Sequence, residues 1–448
     1  MGLEGLPTET LTTKHSSPQA LLSRSHDSHS RLLLSMVLAA LAVRLIVVAF
    51  VYQGFLEPER DHWAFGSEAG KIARSIVLGH GFGNPYYGGD TGPTAEIGPV
   101  LPYILAGIFA LFGIYTKTAA VAMLGLNSLF SALTCIPIFY LAKESFGLRE
   151  ARWAVWTWVF FPYAIYFSAD SMWDHALIAL LLNCILWAAL CLQDSTRIWA
   201  WAGFGLLSGF SALTNPVALG VVPFLGGWAC YRLRKQGRIW LAPAVVACIF
   251  LCAPLVPWLV RNHRVFQRPV FLRDSFPLAF SSGNVGDVHH WWNASVDPTG
   301  NAAEMAQFRR VGELAYMAEK RAQGLDFLVS HPGIFVWRSV RRFVYLWTGY
   351  WSFNKDYLQE EVFDPENIPF CTATTGIALI GLRRMLQRDA QKTMPYAIML
   401  VVFPLVYYIT VPAMAYRQPL DPVLVVLASH GVVSSLRSRR LANSIPTS

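Results

Sequence analysis

Charge is scarce in this sequence. Only 14% of its 448 residues are Asp, Glu, Lys or Arg, against 54% hydrophobic ones. A soluble enzyme spreads charge along its length to keep its surface wet, whereas here the charges cluster in short strips between apolar runs. That pattern excludes a soluble globular class. No glycine-rich phosphate loop follows a strand and no sizeable cytoplasmic domain stands out, which disfavours a Rossmann-type nucleotide-sugar enzyme. No C-x-x-C pair occurs. Cys135, Cys184, Cys191, Cys230, Cys248, Cys252 and Cys371 all fall within or beside apolar segments, so neither disulfides nor a cysteine metal site are expected. The net charge of +8 comes without an aromatic-interleaved basic motif, and it reads as a topology signal and a means of binding anions, not as a nucleic-acid footprint. Residues 1–30 are Ser/Thr/His-rich, without periodicity or a short apolar core, and read as a disordered cytoplasmic tail; residues 441–448 read as a second one.

What fills the chain is a series of runs of transmembrane length. They are Leu32–Tyr52, Ala119–Ala142, Trp153–Ser168, Ala176–Leu192, Trp199–Leu213, Val217–Cys230, Ile239–Val260, Ile368–Leu382, Pro395–Ala413 and Leu420–Leu436. Together they make an all-α polytopic membrane protein of about ten helices. A further run, GPVLPYILAGIFALFGIY (Gly98–Tyr115), sits at the lower length limit and carries Pro99 and Pro102 near its start.

Lysine and arginine in short loops mark the cytoplasmic side. If Gly98–Tyr115 does not cross, the strips at Lys143–Arg152, Arg232–Arg238, Arg383–Lys392 and Arg437–Arg440 all become cytoplasmic; if it crosses, all become external. The first arrangement fits the rule, so this run is expected to lie along the outer face. The same holds for FGSEAGKIARSIVLGHGF (Phe65–Phe82), where Phe65, Ala69, Ile72, Ala73, Ile76 and Val77 form an apolar helical stripe opposite Glu68, Lys71 and Ser75. Residues 53–118 then form a first external loop with juxtamembrane helices, Asp170 and Asp174 a short loop, and residues 261–367 a second large external segment. Arg261, Arg264, Arg268 and Arg273 begin that segment against the charge rule, and an anionic ligand would give them something to hold. Within it, SHPGIFVWRSVRRFVYLW predicts an interfacial helix capped by Ser330, with Pro332 in its first turn.

In this order the chain resembles the polyprenol-phosphate-sugar-dependent integral membrane glycosyltransferases, the GT-C superfamily of aminoarabinose transferases and protein O-mannosyltransferases. The resemblance is carried by IARSIVLGHGF (Ile72–Phe82), PTAEIGPVLPYILAGIFALFG (Pro93–Gly113), PWLVRNHRVF (Pro257–Phe266), HPGIFVWRSVRRFVYLW (His331–Trp347) and YRQPLDPVLVVLAS (Tyr416–Ser429), in family order over nearly the whole chain. It implies a GT-C-like transmembrane domain over residues 31–440. It further implies transfer of a sugar from a polyprenyl-phosphate donor to a protein, lipid or glycan acceptor at the outer face of a membrane, here a bacterial plasma membrane with a periplasmic site. The partners are then membrane lipids, the lipid-linked sugar and the acceptor. Such chemistry needs a carboxylate to activate the acceptor and arginines to meet the departing lipid phosphate.

The resemblance places a first-loop acid where this chain has Phe65; Glu68, three residues on, lies on the same helical face and reads as the base or a positioning acid, or else as a solvated partner of Lys71. Asp61, with Glu59 beside it, is a further candidate base or an N-terminal cap. Glu96 maps onto the family's acid two residues before a proline-containing pair, Gly98-Pro99, although the basic residue that often follows is Ile97 here. Asp174 matches an acid at the start of a span and reads equally as a helix N-terminal charge. With Asp170 and His175 it offers a weak site for a divalent cation, and no cofactor is otherwise implied. Arg417 and Arg261 are the candidates for the substrate phosphate, with snorkelling at helix ends as the alternative. Arg341 and Arg342 are expected to meet lipid headgroups. The adjacent His289 and His290 are a poor metal signal. A rival reading is a lipid-linked-sugar transporter or a catalytically silent lipid-glycan binder. A transporter is expected to show repeated halves and charge at mid-membrane; no internal repeat stands out, the candidate acids lie in external loops, and Arg44 inside the first span is the main exception.

Overall fold

A computed structural model describes residues 18–51, 65–86, 88–170, 172–286, 292–360 and 364–443, with the side chains of 18–28, 356, 359–360 and 438–443 left aside. Asp61, Glu59, His289 and His290 lie outside the described residues. In chain order the helices are α1 (Pro18–Val51), α2 (Glu68–Val77), α3 (Val100–Phe112), α4 (Lys117–Leu133), α5 (Cys135–Ser145), α6 (Leu148–Val159), α7 (Pro162–Ala169), α8 (His175–Leu192), α9 (Ile198–Thr214) and α10 (Val222–Lys235). They continue with α11 (Leu241–Phe266), α12 (Phe276–Asn284), α13 (Ala302–Val311), α14 (Glu313–Ser330), α15 (Pro332–Thr348), α16 (Lys355–Glu360), α17 (Asn367–Arg388), α18 (Ala390–Val402), α19 (Leu405–Ile409) and α20 (Asp421–Asn443).

Among the described residues six stretches are long and apolar enough to cross a bilayer unaided: His29–Phe50, Lys117–Ser145, His175–Leu192, Pro216–Lys235, Leu241–Phe266 and Ala390–Ile409. The other expected spans fall on α9, on α17 and α20, and on α6 with α7, which are separate helices. Pro162 opens α7 and cannot donate to the carbonyl of Trp158 one turn earlier. Phe161 N still donates to Trp158 O at 3.2 Å, and Arg44 adds side-chain donors at the break. Its guanidinium binds Trp158 O at 3.1 Å, Val159 O at 3.3 Å and Ser131 Oγ at 2.8 Å, and it is fully buried. In hydrocarbon an unpaired carbonyl costs several kcal/mol, so this mid-span charge repairs a broken helix and does not line a path for a ligand.

Helices α9 and α11 approach closely along Gly205-x-x-x-Gly209. A Cβ at Gly205 would strike Ala247 O and one at Gly209 would strike Leu251 O, so only glycine admits this contact.

At 13 residues α3 is about 20 Å long, well short of a hydrocarbon core of about 30 Å. It lies against α2 instead, and Phe65 closes the pair with its ring 5.2 Å from Phe109 and 5.3 Å from Tyr115. The apolar stripe of α2 is buried except at its end, where Val77 is exposed, but the opposite side is not wet: Lys71 and Ser75 are also buried. The 79–94 loop folds back over that side, with Asn84 Nδ2 donating to Ser75 Oγ at 3.2 Å. A separate small core of Tyr86, Leu278, Phe308, Tyr316 and Met317 joins this loop to α12, α13 and α14.

In the later segment α15 begins at Pro332 as expected, but Ser330 ends α14 and His331 takes the cap position. Arg342 is buried and binds Gly283 O, Asn284 Oδ1 and Tyr408 O, while Arg341 donates to Trp351 O. These arginines tie α15 to its neighbours and do not face headgroups.

Candidate active site

Glu68 opens α2 and Glu96 precedes α3, so one packed helix pair delivers both acids. The loop carrying Glu96 is pinned from several sides. Asn84 Oδ1 accepts from Thr91 N and Gly92 N, and Arg261 donates to Thr94 O at 2.7 Å and Phe82 O at 2.6 Å. Ala95 N donates to Glu313 Oε1 at 2.6 Å, and Asp274 N donates to Ala95 O at 3.0 Å. Gly98 follows directly, and a Cβ there would strike Leu213 O.

Glu96 is 5% exposed. Tyr86 donates to its Oε1 at 2.7 Å, and its Oε2 is buried without a hydrogen-bond partner among the described residues. Burial lifts this carboxyl well above the usual glutamate range, and the carboxyls of Glu68, Glu313 and Asp297 lift it further. Glu68 keeps some exposure and accepts from Ser67 Oγ at 3.0 Å, to which Lys71 Nζ also donates at 3.2 Å. Burial raises Glu68 too, but the Lys71 ammonium opposes the rise. Like charges in one buried group oppose one another's ionisation, and the Lys71 ammonium favours the ionised form at Glu68 alone of the two. Asp297, held by Thr299, adds to that repulsion.

The chain neighbours of the two acids, Ala69 and Ile97, line a common cleft of about 110 Å³. Its polar wall holds Asp174, His175, Asn215 and Arg273, and Tyr407 and Tyr416, stacked at 4.6 Å, form an aromatic side. Asp174 accepts from Asn215 Nδ2 at 3.4 Å and lies 3.6 Å from His175 Nδ1. The half-buried Arg273 has no hydrogen-bond partner among the described residues, which leaves its donors for a bound anion. On the far side of the same turn, Pro99 and Val100 border a larger groove of about 600 Å³ between α3, α9 and α11. Tyr103, Phe210 and Trp258 make it apolar, and Arg261 closes one end.

Asp174 lines this cleft; Glu68 and Glu96 do not line it and border it through their chain neighbours Ala69 and Ile97. Arg261 stands beside it with its guanidinium occupied by the backbone and Asn262. Arg417 is elsewhere: it is fully buried, with Nε bound to Asp421 Oδ1 at 2.9 Å and Nη1 to Trp347 O at 3.3 Å, and it does not line the cleft. Asp170 does not line it either, and among the described residues no group of three or more His, Cys, Asp or Glu side chains is placed to hold a metal ion. Asp274, Asp297 and Glu313 escape sequence reasoning because they meet the first loop from more than 170 residues away, with no local motif.

No protein-family model and no curated protein matches this sequence. Among solved structures, the oligosaccharyltransferase of Archaeoglobus fulgidus, tethered to an acceptor peptide containing an NVT sequon, superposes with a TM-score of 0.52 at 13% identity. The match covers 93% of this chain and 51% of that one, so the chain spans about half the length of that protein. ArnT from Cupriavidus metallidurans bound to undecaprenyl phosphate aligns over 93% of this chain and 81% of its own, at 14% identity and a TM-score of 0.36. The fold is similar to that of the Archaeoglobus fulgidus oligosaccharyltransferase.

Proposed function

From that fold we propose that the chain is a glycosyltransferase that moves a sugar from a polyprenyl-phosphate donor to an acceptor at the outer face of the membrane. The observation that carries this reading is the gathering of Glu68 and Glu96 next to a cleft whose lining includes Arg273, which has no hydrogen-bond partner among the described residues. A carboxylate base and an anion-binding group at a small cavity suit displacement of a phosphate from an anomeric carbon.

In the proposed reaction the ionised Glu68 accepts the proton of an acceptor hydroxyl or amine as that atom attacks the anomeric carbon. The bond from this carbon to the phosphate oxygen breaks, its electron pair leaves with the polyprenyl phosphate, and Arg273 neutralises the developing charge. One displacement inverts the anomeric configuration. Glu96 retains its proton and hydrogen-bonds the sugar or the incoming nucleophile. Tyr407 and Tyr416 offer ring faces to the sugar, and the apolar groove beside Pro99 takes the isoprenoid chain.

The test is transfer by purified protein in proteoliposomes, with a panel of short-chain polyprenyl-phosphate sugars and release of free polyprenyl phosphate read by mass spectrometry. Release with one donor and its loss in Glu68→Ala and Glu96→Ala support the reading. Wild-type rates in both variants remove these acids from the mechanism.

A further inference from the structure

Glu313 is the first residue of α14 and follows Gly312, whose φ of 81° turns the chain into the helix. A carboxylate there ordinarily stays at its own helix N-terminus, where the exposed N–H groups and the dipole favour it. This one is 5% exposed and crosses to the first loop, where it accepts from Ala95 N at 2.6 Å and bonds the Thr94 hydroxyl. The same Thr94 hydroxyl accepts from the N–H of Glu96 at 3.0 Å. Asp274, just before α12, takes Ala95 from the other side, donating its own N–H to Ala95 O. The carboxyls of Asp274 and Glu313 lie close enough to perturb each other, and Glu313 Oε2 and both Asp274 carboxyl oxygens are buried without a hydrogen-bond partner among the described residues. Two buried carboxyls this close oppose one another's ionisation, and Arg273 beside Asp274 and Arg261 near Glu313 balance the remaining charge.

Both hydrogen-bonding atoms of the Ala95 backbone, immediately before Glu96, are therefore held by residues from the second polar segment. Burying an acid is costly unless it satisfies something, and what the Glu313 carboxyl satisfies is the Ala95 N–H, while Asp274 holds the same peptide through its own backbone N–H. We propose that Glu313 is a positioning residue: with Asp274 it clasps the Ala95 backbone and thereby fixes the direction from which Glu96 addresses the cleft. This inference rests on the transferase reading of the same site. It gives the second polar segment a part in the chemistry without contact with the reacting atoms.

The test compares Glu313→Ala with Glu313→Gln. The amide of glutamine still accepts from Ala95 N–H, whereas alanine removes the clasp. Hydrogen exchange of the 94–98 peptide is predicted to quicken at least tenfold in Glu313→Ala and to stay near wild type in Glu313→Gln. In the transfer assay kcat is predicted to fall on the order of 100-fold in the alanine variant, the scale of an ångström-sized misplacement, and within about threefold in the glutamine variant, with donor KM unchanged in both. Rapid exchange with an unchanged kcat overturns the positioning role, as do equal losses in both variants or unaltered exchange in the alanine variant. A wild type inert towards every donor instead overturns the transferase reading and the catalytic role with it, while the exchange pattern still decides whether the clasp exists.

Discussion

Glu68 and Glu96 belong to one buried group of acids that raises both, but Lys71 opposes the rise at Glu68, while among the described residues Glu96 accepts a hydrogen bond from the Tyr86 hydroxyl. Neutral Gln at 96 mimics the protonated acid and Gln at 68 does not mimic a base. Glu68→Gln should therefore lose on the order of 10²–10⁴ in kcat, the range for a general base, while Glu96→Gln keeps most of its rate near neutral pH. The sign of the pH dependence follows. In the proposed reaction Glu68 works ionised and its pKa is raised, so transfer is predicted to fall on the acid side at a pH above the ordinary glutamate range; Glu96 works protonated there, so wild type is predicted to fall on the alkaline side as well and Glu96→Gln to lack that limb. A pH series of kcat in both variants checks this. The arginines separate in the same way. Arg273→Ala should cost roughly 10- to 100-fold in kcat/KM, the worth of a charge-assisted hydrogen bond. Arg417→Met, which strands the buried Asp421, should instead cost about 3–5 kcal/mol of stability, read by thermal denaturation. The expectation of Arg417 at the phosphate came from its place in the chain. Its partner Asp421, four residues on, was equally visible in the sequence; the pair engages Nε, while Nη2 is buried without a hydrogen-bond partner among the described residues.

Helices were legible wherever apolarity and period decided them. The stripe of α2, the brevity of α3 and the proline start of α15 all follow from local sequence. The wet side of α2 was not legible, since Lys71 and Ser75 are covered by a loop whose folding depends on residues far along the chain. At this scale Gly209→Val should force α9 from α11, overpack the contact and lower stability by about 1–3 kcal/mol, measurable as a lower unfolding temperature in detergent. Arg44→Leu should destabilise as well, since the carbonyls of Trp158 and Val159 lose donors that no water replaces.

For the molecule as a whole, the number and order of apolar runs foretold an all-α polytopic architecture, and the fold agrees. Of the candidate site, Glu68 and Glu96 stand on a helix and a turn that the sequence marks, but Arg273 in the neighbouring cleft and the Glu313 and Asp297 carboxyls that raise Glu96 are brought near only by tertiary folding. The apolar groove beside Pro99 is a whole-molecule feature of the same kind. Filling it with Ile104→Trp should raise donor KM more for long-chain than for short-chain polyprenyl phosphates.

The most direct measurement is release of free polyprenyl phosphate from a lipid-linked monosaccharide, in proteoliposomes, by wild type, Glu68→Gln and Glu96→Gln side by side. The account predicts release by wild type, near-complete loss at Glu68→Gln and substantial retention at Glu96→Gln. Equal rates in all three, or no release from any donor by folded wild-type protein, would contradict it.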